Sequence, residues 1–95
     1  MPAAHRKTDV CTGHGCFPPR QNAQQSPNVL CNNLNWHRQG DSWNPHSCGP
    51  PTHGGNLAAG SPNVYVNNKQ AARIGDPVNC GSACATGSGN VYANG

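Results

Sequence analysis

Ser26-Pro27-Asn28-Val29-Leu30-Cys31-Asn32-Asn33-Leu34-Asn35-Trp36-His37-Arg38-Gln39-Gly40-Asp41 returns 35 residues later as Ser61-Pro62-Asn63-Val64-Tyr65-Val66-Asn67-Asn68-Lys69-Gln70-Ala71-Ala72-Arg73-Ile74-Gly75-Asp76, with nine of sixteen positions identical. A further copy opens at Ser88-Gly89-Asn90-Val91-Tyr92-Ala93-Asn94-Gly95. Its second half stands at the other end of the chain, where Ala4-His5-Arg6-Lys7-Thr8-Asp9 matches the stretch from Trp36 to Asp41. The unit is circularly split, with three copies of each half, and the acidic residues Asp9, Asp41 and Asp76 occupy one position in it. Self-similarity of this kind marks a repeat architecture.

Each unit reads as a β-hairpin. Asn28 to Cys31 and Asn63 to Val66 predict short strands, and Asn32-Asn33 and Asn67-Asn68 supply residues that tolerate the left-handed conformation of a tight turn. Trp36-His37-Arg38 and Ala71-Ala72-Arg73 are the expected returning strands, each ended by Gly-Asp. No stretch shows helical periodicity over a useful window. The expectation is an all-β fold of three hairpin units, forming one small domain over residues 1–95.

Composition says that such a domain needs help. Leu, Ile, Val and Phe number 11 of 95 residues, well below the ~20% that usually supports a core. Charged residues make up only 9%, so charge repulsion does not enforce disorder. The chain has no apolar run long enough to span a bilayer and no Sec-type leader. A net charge of +3 with scattered basic residues argues against a nucleic-acid surface. Something besides apolar burial must hold the chain together.

Six cysteines and five histidines are the candidates. Disulfides require an oxidising compartment, whereas His beside Cys favours a metal. All of them but His5, Cys31 and His37 sit in three connections, spanning 10–25, 42–60 and 77–87. His53-Gly54 lies eight residues before Ser61, and Cys80-Gly81 lies eight before Ser88. His14-Gly15 takes the same role if four extra residues are allowed in the first connection. Three equivalent loops thus offer one ligand each: His14, His53 and Cys80. A tetrahedral ion needs a fourth, for which His46 is chosen, with Cys48 and His37 as alternatives. Imidazole and thiolate donors suit Zn2+, and Fe2+ is conceivable. A closed set of four protein ligands makes the ion structural, contributing about 10–16 kcal/mol in small zinc domains.

The pattern S-P-N-V-x-x-N-N…A-A-R-x-G-D, with His53-Gly54-Gly55 in the connecting loop, resembles the PAAR-repeat proteins. Ala71-Ala72-Arg73 lacks the leading Pro of that motif, and Pro2-Ala3-Ala4 is separated from Arg6 by His5. Cys11-Thr12-Gly13-His14-Gly15-Cys16-Phe17-Pro18-Pro19-Arg20 looks like the branch found in phage tail-tip proteins. The resemblance implies a small β-cone that caps a trimeric β-helical spike, VgrG-like or the phage central spike, in a type VI secretion system or contractile phage tail. It also implies a metal near the apex, usually zinc, held by three His and one Cys. One copy per trimer is expected, with transient contact with the target envelope. The location is a virion tail tip, or the bacterial cytoplasm before injection. The end at Asn94-Gly95 suggests no fused toxin domain.

Cys11, Cys16, Cys48 and Cys84 show no threefold pattern and read mainly as structural or buried thiols, with one bridged pair as the lesser alternative. The aspartates read as turn-formers bonded to nearby amides and to the Arg three residues earlier. Trp36, Trp43, Tyr65, Tyr92 and Phe17 are expected to pack between units. A disulfide-stapled secreted binding module is the alternative function. A zinc hydrolase is disfavoured because the chain contains no Glu to serve as general base, and no catalytic residue is assigned.

Overall fold

The turn asparagines adopt the conformation their chemistry allows. In the computed structural model, which describes residues 2–93, Asn32 and Asn33 have φ of 54° and 65°, and Asn67 and Asn68 have 53° and 65°. They close two hairpins of the same register. β1 (Leu30–Cys31) pairs with β2 (Leu34–Asn35), and, in the second unit, β5 (Tyr65–Val66) pairs with β6 (Lys69–Gln70), all antiparallel. The described residues contain no helix, so the fold is all-β.

The strands are shorter than the sequence suggests. Trp36-His37-Arg38 and Ala71-Ala72-Arg73 do not return along their own hairpins; they pair with the neighbouring units instead. Bridges Arg6–Trp36, Arg38–Ala71 and Ala4–Arg73 carry each Arg of the motif onto the first motif residue of the next unit. Inside this triangle, His5 N–H donates to Ala72 O (3.0 Å), Ala72 N–H to His37 O (2.9 Å), and His37 N–H to His5 O (3.2 Å). A closed cycle of three bonds among equivalent residues defines a pseudo-threefold axis, and all three side chains are fully buried on it. Backbone groups with so little apolar cover need such partners.

The split unit closes without a covalent link. Ala3 bridges Tyr92, Ala4 N–H reaches Val91 O, and Ala93 N–H reaches Pro2 O, so the two ends of the described chain form the remaining hairpin. Asn94-Gly95, the expected turn of that copy, lies outside the described residues.

Local chemistry repeats with the units. Ser26, Ser61 and Ser88 each accept two amide hydrogens from the residues two and three positions ahead. Asp9, Asp41 and Asp76 each accept the amide and guanidinium of the Arg three residues earlier, as the sequence suggested. Turn side chains lock units together: Asn32 takes Arg6 and Ser88, and Asn67 takes Arg38 and Ser26.

The apolar core is small: Cys11, Trp43, Leu57, Ala72, Val78 and Cys84. Tyr65 and Tyr92 correct the expectation of packing between units. They are 58% and 50% exposed, and Leu30 at the equivalent position is 54% exposed.

Candidate metal centre

All three connections fold back as hairpins. In the first, His14 bridges Phe17 across Gly15-Cys16, and Cys11 N–H bonds Arg20 O. Gly13 is required there: at φ +70° its hydrogen faces Phe17 O, and a Cβ would lie only 2.5 Å from that oxygen. In the third, Val78 N–H reaches Ser82 O and sets Cys80 in the turn. The enlarged second connection, expected as a loop, forms β3 (Ser42–Ser47) paired with β4 (Thr52–Asn56). An irregularity between Trp43 and His46 accommodates Pro45 and restores the register that sets His46 opposite His53.

Those hairpin tips meet. Donor atoms of His14, His46, His53 and Cys80 all lie within 4.8 Å of one another. His53 Nε2 is 3.0 Å from His14 Nε2 and 2.8 Å from His46 Nε2. His46 Nδ1 donates to Pro18 O at 2.8 Å, leaving Nε2 as a bare lone pair aimed into the group. Where two such nitrogens both carry lone pairs they repel, unless a proton or a metal cation is shared between them. Donors around a tetrahedral zinc ion stand about 3.3–3.6 Å apart, so the residues present fit such an ion with small adjustment.

Electrostatics favours the ligating forms. The pKa of His53 is lowered by desolvation and by His46, His14 and Arg20, which keeps the imidazole neutral. Burial opposes a Cys80 thiolate, but the Ser82 amide, the Arg20 guanidinium and the Ser82 hydroxyl outweigh it and hold the thiol below its usual value.

The alternatives for the fourth position are engaged elsewhere. His37 lies on the axis beside His5 and Trp43 with Nδ1 bonded to Gln24 O. Cys48 is joined to Cys16 in a disulfide, with Cα atoms 5.4 Å apart. That bridge corrects the main reading of these two residues as thiols. Cys11, Cys31, Cys80 and Cys84 are free, and burial pushes the Cys84 thiol far up.

Two contributors went unread in the sequence. Phe17 lies against all three imidazoles, with ring centroids at 4.8 Å from His14, 4.9 Å from His46 and 4.3 Å from His53. It covers the cluster with an apolar face. Arg20 is buried beneath it and reaches Cys80 Sγ. Neither has a counterpart in the other units, so the repeat offered no signal for them.

A family model described as the PAAR motif matches residues 49–95. That stretch holds His53, Cys80, the Ala71-Ala72-Arg73 segment and two of the serine turns. A search of curated proteins returns no significant match. The cyclic bonding of three equivalent motif segments, the all-β hairpins and a His/Cys group able to hold a metal agree with that match. Residues 49–95 carry the motif of the PAAR-repeat proteins, a family of spike-tip proteins of contractile injection systems that sit on VgrG-like spikes.

Proposed function

We propose that this chain is the metal-stapled tip of such a spike, a single domain over residues 1–95 that caps a trimeric β-helix with one copy per trimer. The observation that carries the reading is the convergence of His14, His46, His53 and Cys80 from three hairpin tips within 4.8 Å. The ion is Zn2+, for which three imidazoles and one thiolate are a fitting set; Fe2+ is the alternative that elemental analysis separates. With four protein donors the metal supplies a cross-link and no open position for substrate. Phe17 covers one side of it with an apolar ring.

Docking rests on a second threefold feature. Leu30, Tyr65 and Tyr92 present one apolar side chain per unit at the same strand position. A single chain with three similar faces can satisfy a threefold partner in every direction. It would also cover strand edges that a blunt trimer end leaves unpaired. The role is mechanical: a narrow, cross-linked tip meets the target envelope first, in a phage tail or a type VI apparatus. The one disulfide favours no stapled secreted module, since four of the six cysteines are free.

The test is elemental analysis of the purified protein beside His53→Ala and Cys80→Ala. Close to one zinc per chain, lost in both variants, is expected. In parallel, a Leu30→Asp/Tyr65→Asp/Tyr92→Asp variant should keep its metal and lose co-purification with the cognate spike trimer. A wild-type protein free of metal, or a triple variant that still docks, would overturn the corresponding half of the reading.

A further inference from the structure

Arg20 is a buried cation with no carboxylate beside it among the described residues. The three aspartates are engaged by Arg6, Arg38 and Arg73. Arg20 instead distributes its donors over all three connections. Nε donates to Asn44 O at 2.7 Å, Nη1 to Cys11 Sγ at 3.1 Å and Ser82 Oγ at 3.3 Å, and Nη2 to Cys80 Sγ at 3.4 Å. Its guanidinium carbon lies 5.2 Å from the centre of the Trp43 ring. Room for it comes from Gly55, where a Cβ would stand 2.9 Å from Nη2 and 3.0 Å from Val78 Cγ1. A planar fork reaching two sulfurs, a hydroxyl and a carbonyl is a task lysine cannot perform.

We propose that Arg20 is the positioning residue of the metal centre: its guanidinium orients the Cys80 sulfur and compensates its charge, so that the sulfur is presented towards the imidazoles and is slow to leave the ion. This rests on the metal reading above. An N–H donated to a metal-bound sulfur draws on its lone pairs, making it a weaker electron donor and restricting its rotation. Outer-shell bonds of this kind commonly change metal affinity by about 10–100-fold. The guanidinium also provides positive charge beside a half-buried thiolate.

The experiment loads wild type, Arg20→Gln, Arg20→Lys and Gly55→Ala with Co2+ and records the sulfur-to-cobalt charge-transfer band and the rate of cobalt loss to a chelator. Arg20→Gln should move the band to lower energy and speed release by about 10–100-fold. Gly55→Ala, which displaces the guanidinium without removing it, should shift both in the same direction by less. Arg20→Lys should restore the charge yet leave the band shifted. The band reports the sulfur itself, so a purely structural loss would lower stability without moving it. If Arg20→Gln does not fold, Gly55→Ala and Arg20→Lys decide. A wild-type protein that takes up no cobalt sinks the metal reading and this proposal together. Cobalt bound by every variant with an unchanged band and release rate sinks the proposal alone.

Discussion

Asp41 has no exposed surface, and both its oxygens bond Arg38, at 2.8 and 2.9 Å, with Lys69 3.9 Å away. The equivalent Arg6–Asp9 pair is more open to water. Breaking a buried pair strands a charge, at about 3–5 kcal/mol, and the cost falls as water reaches the pair. Asp41→Asn should therefore lower the melting temperature by more than about 10 °C, and Asp9→Asn by clearly less, in thermal unfolding. His5 and His37, which take the motif position held by Ala72 in the second unit, make a second residue-scale prediction. Desolvation lowers both, His37 from 6.5 to about 4. The unfolded chain then binds protons that the folded chain refuses. The contribution of neutral His37 is complete above pH 6.5, falls as pH drops below it, and is exhausted near pH 4, a span of about 3 kcal/mol. Urea midpoints measured between pH 7.5 and 4.5 should fall with acidification, and His37→Gln should remove part of the slope. Because the variant retains the four clustered donors, acid release of a metal contributes equally to both curves. Equal slopes would contradict the assignment.

At the scale of the element, the hairpin turns combine strain with connection. Asn67 holds φ at 53° while its side chain bonds Ser26, Asn28 and Arg38 of another unit. A β-branched residue pays for the left-handed conformation and loses those bonds, so Asn67→Val should cost about 2–4 kcal/mol in urea unfolding. Unaltered stability would refute the role of the turn. The hairpin tips offer a different test. Cys16 and Cys48 are bridged two residues beyond His14 and His46, so the disulfide and the proposed ion close the same pair of connections. A Cys16→Ser/Cys48→Ser variant should lose about 3–4 kcal/mol after metal removal by chelator, and much less with metal present. Equal losses in both states would show that the two closures act independently.

Over the whole molecule, what could be read from sequence was what occurs three times. Ser-x-Asn turns and the Arg–Asp spacing leave marks in every unit, and paired asparagines in two of them, and the corresponding bonds are present among the described residues. Equivalence also picked out His14, His53 and Cys80 as loop positions facing one another. Features found once were harder to read. Trp43-Asn44-Pro45-His46 carries a proline and no alternation, so β3 gave no strand signal, although its register is what sets His46 against His53. The Cys16–Cys48 bridge depends on two tips converging in space, which cysteine spacing cannot reveal. The motif segments read as returning strands because local pairing was assumed; with few apolar residues, the axis is built by bonds between units. Tyr65 and Tyr92 read as packing residues because aromatic side chains usually are, whereas here they face outward.

The pairing of Ala3 with Tyr92 has a kinetic consequence. His5 and Thr86 lie 81 positions apart, and both must be in place before the ring of motif bonds can shut. Contacts between such distant segments carry the loop-closure cost first and the stabilisation afterwards, which slows folding. Until they meet, the fold has an open seam.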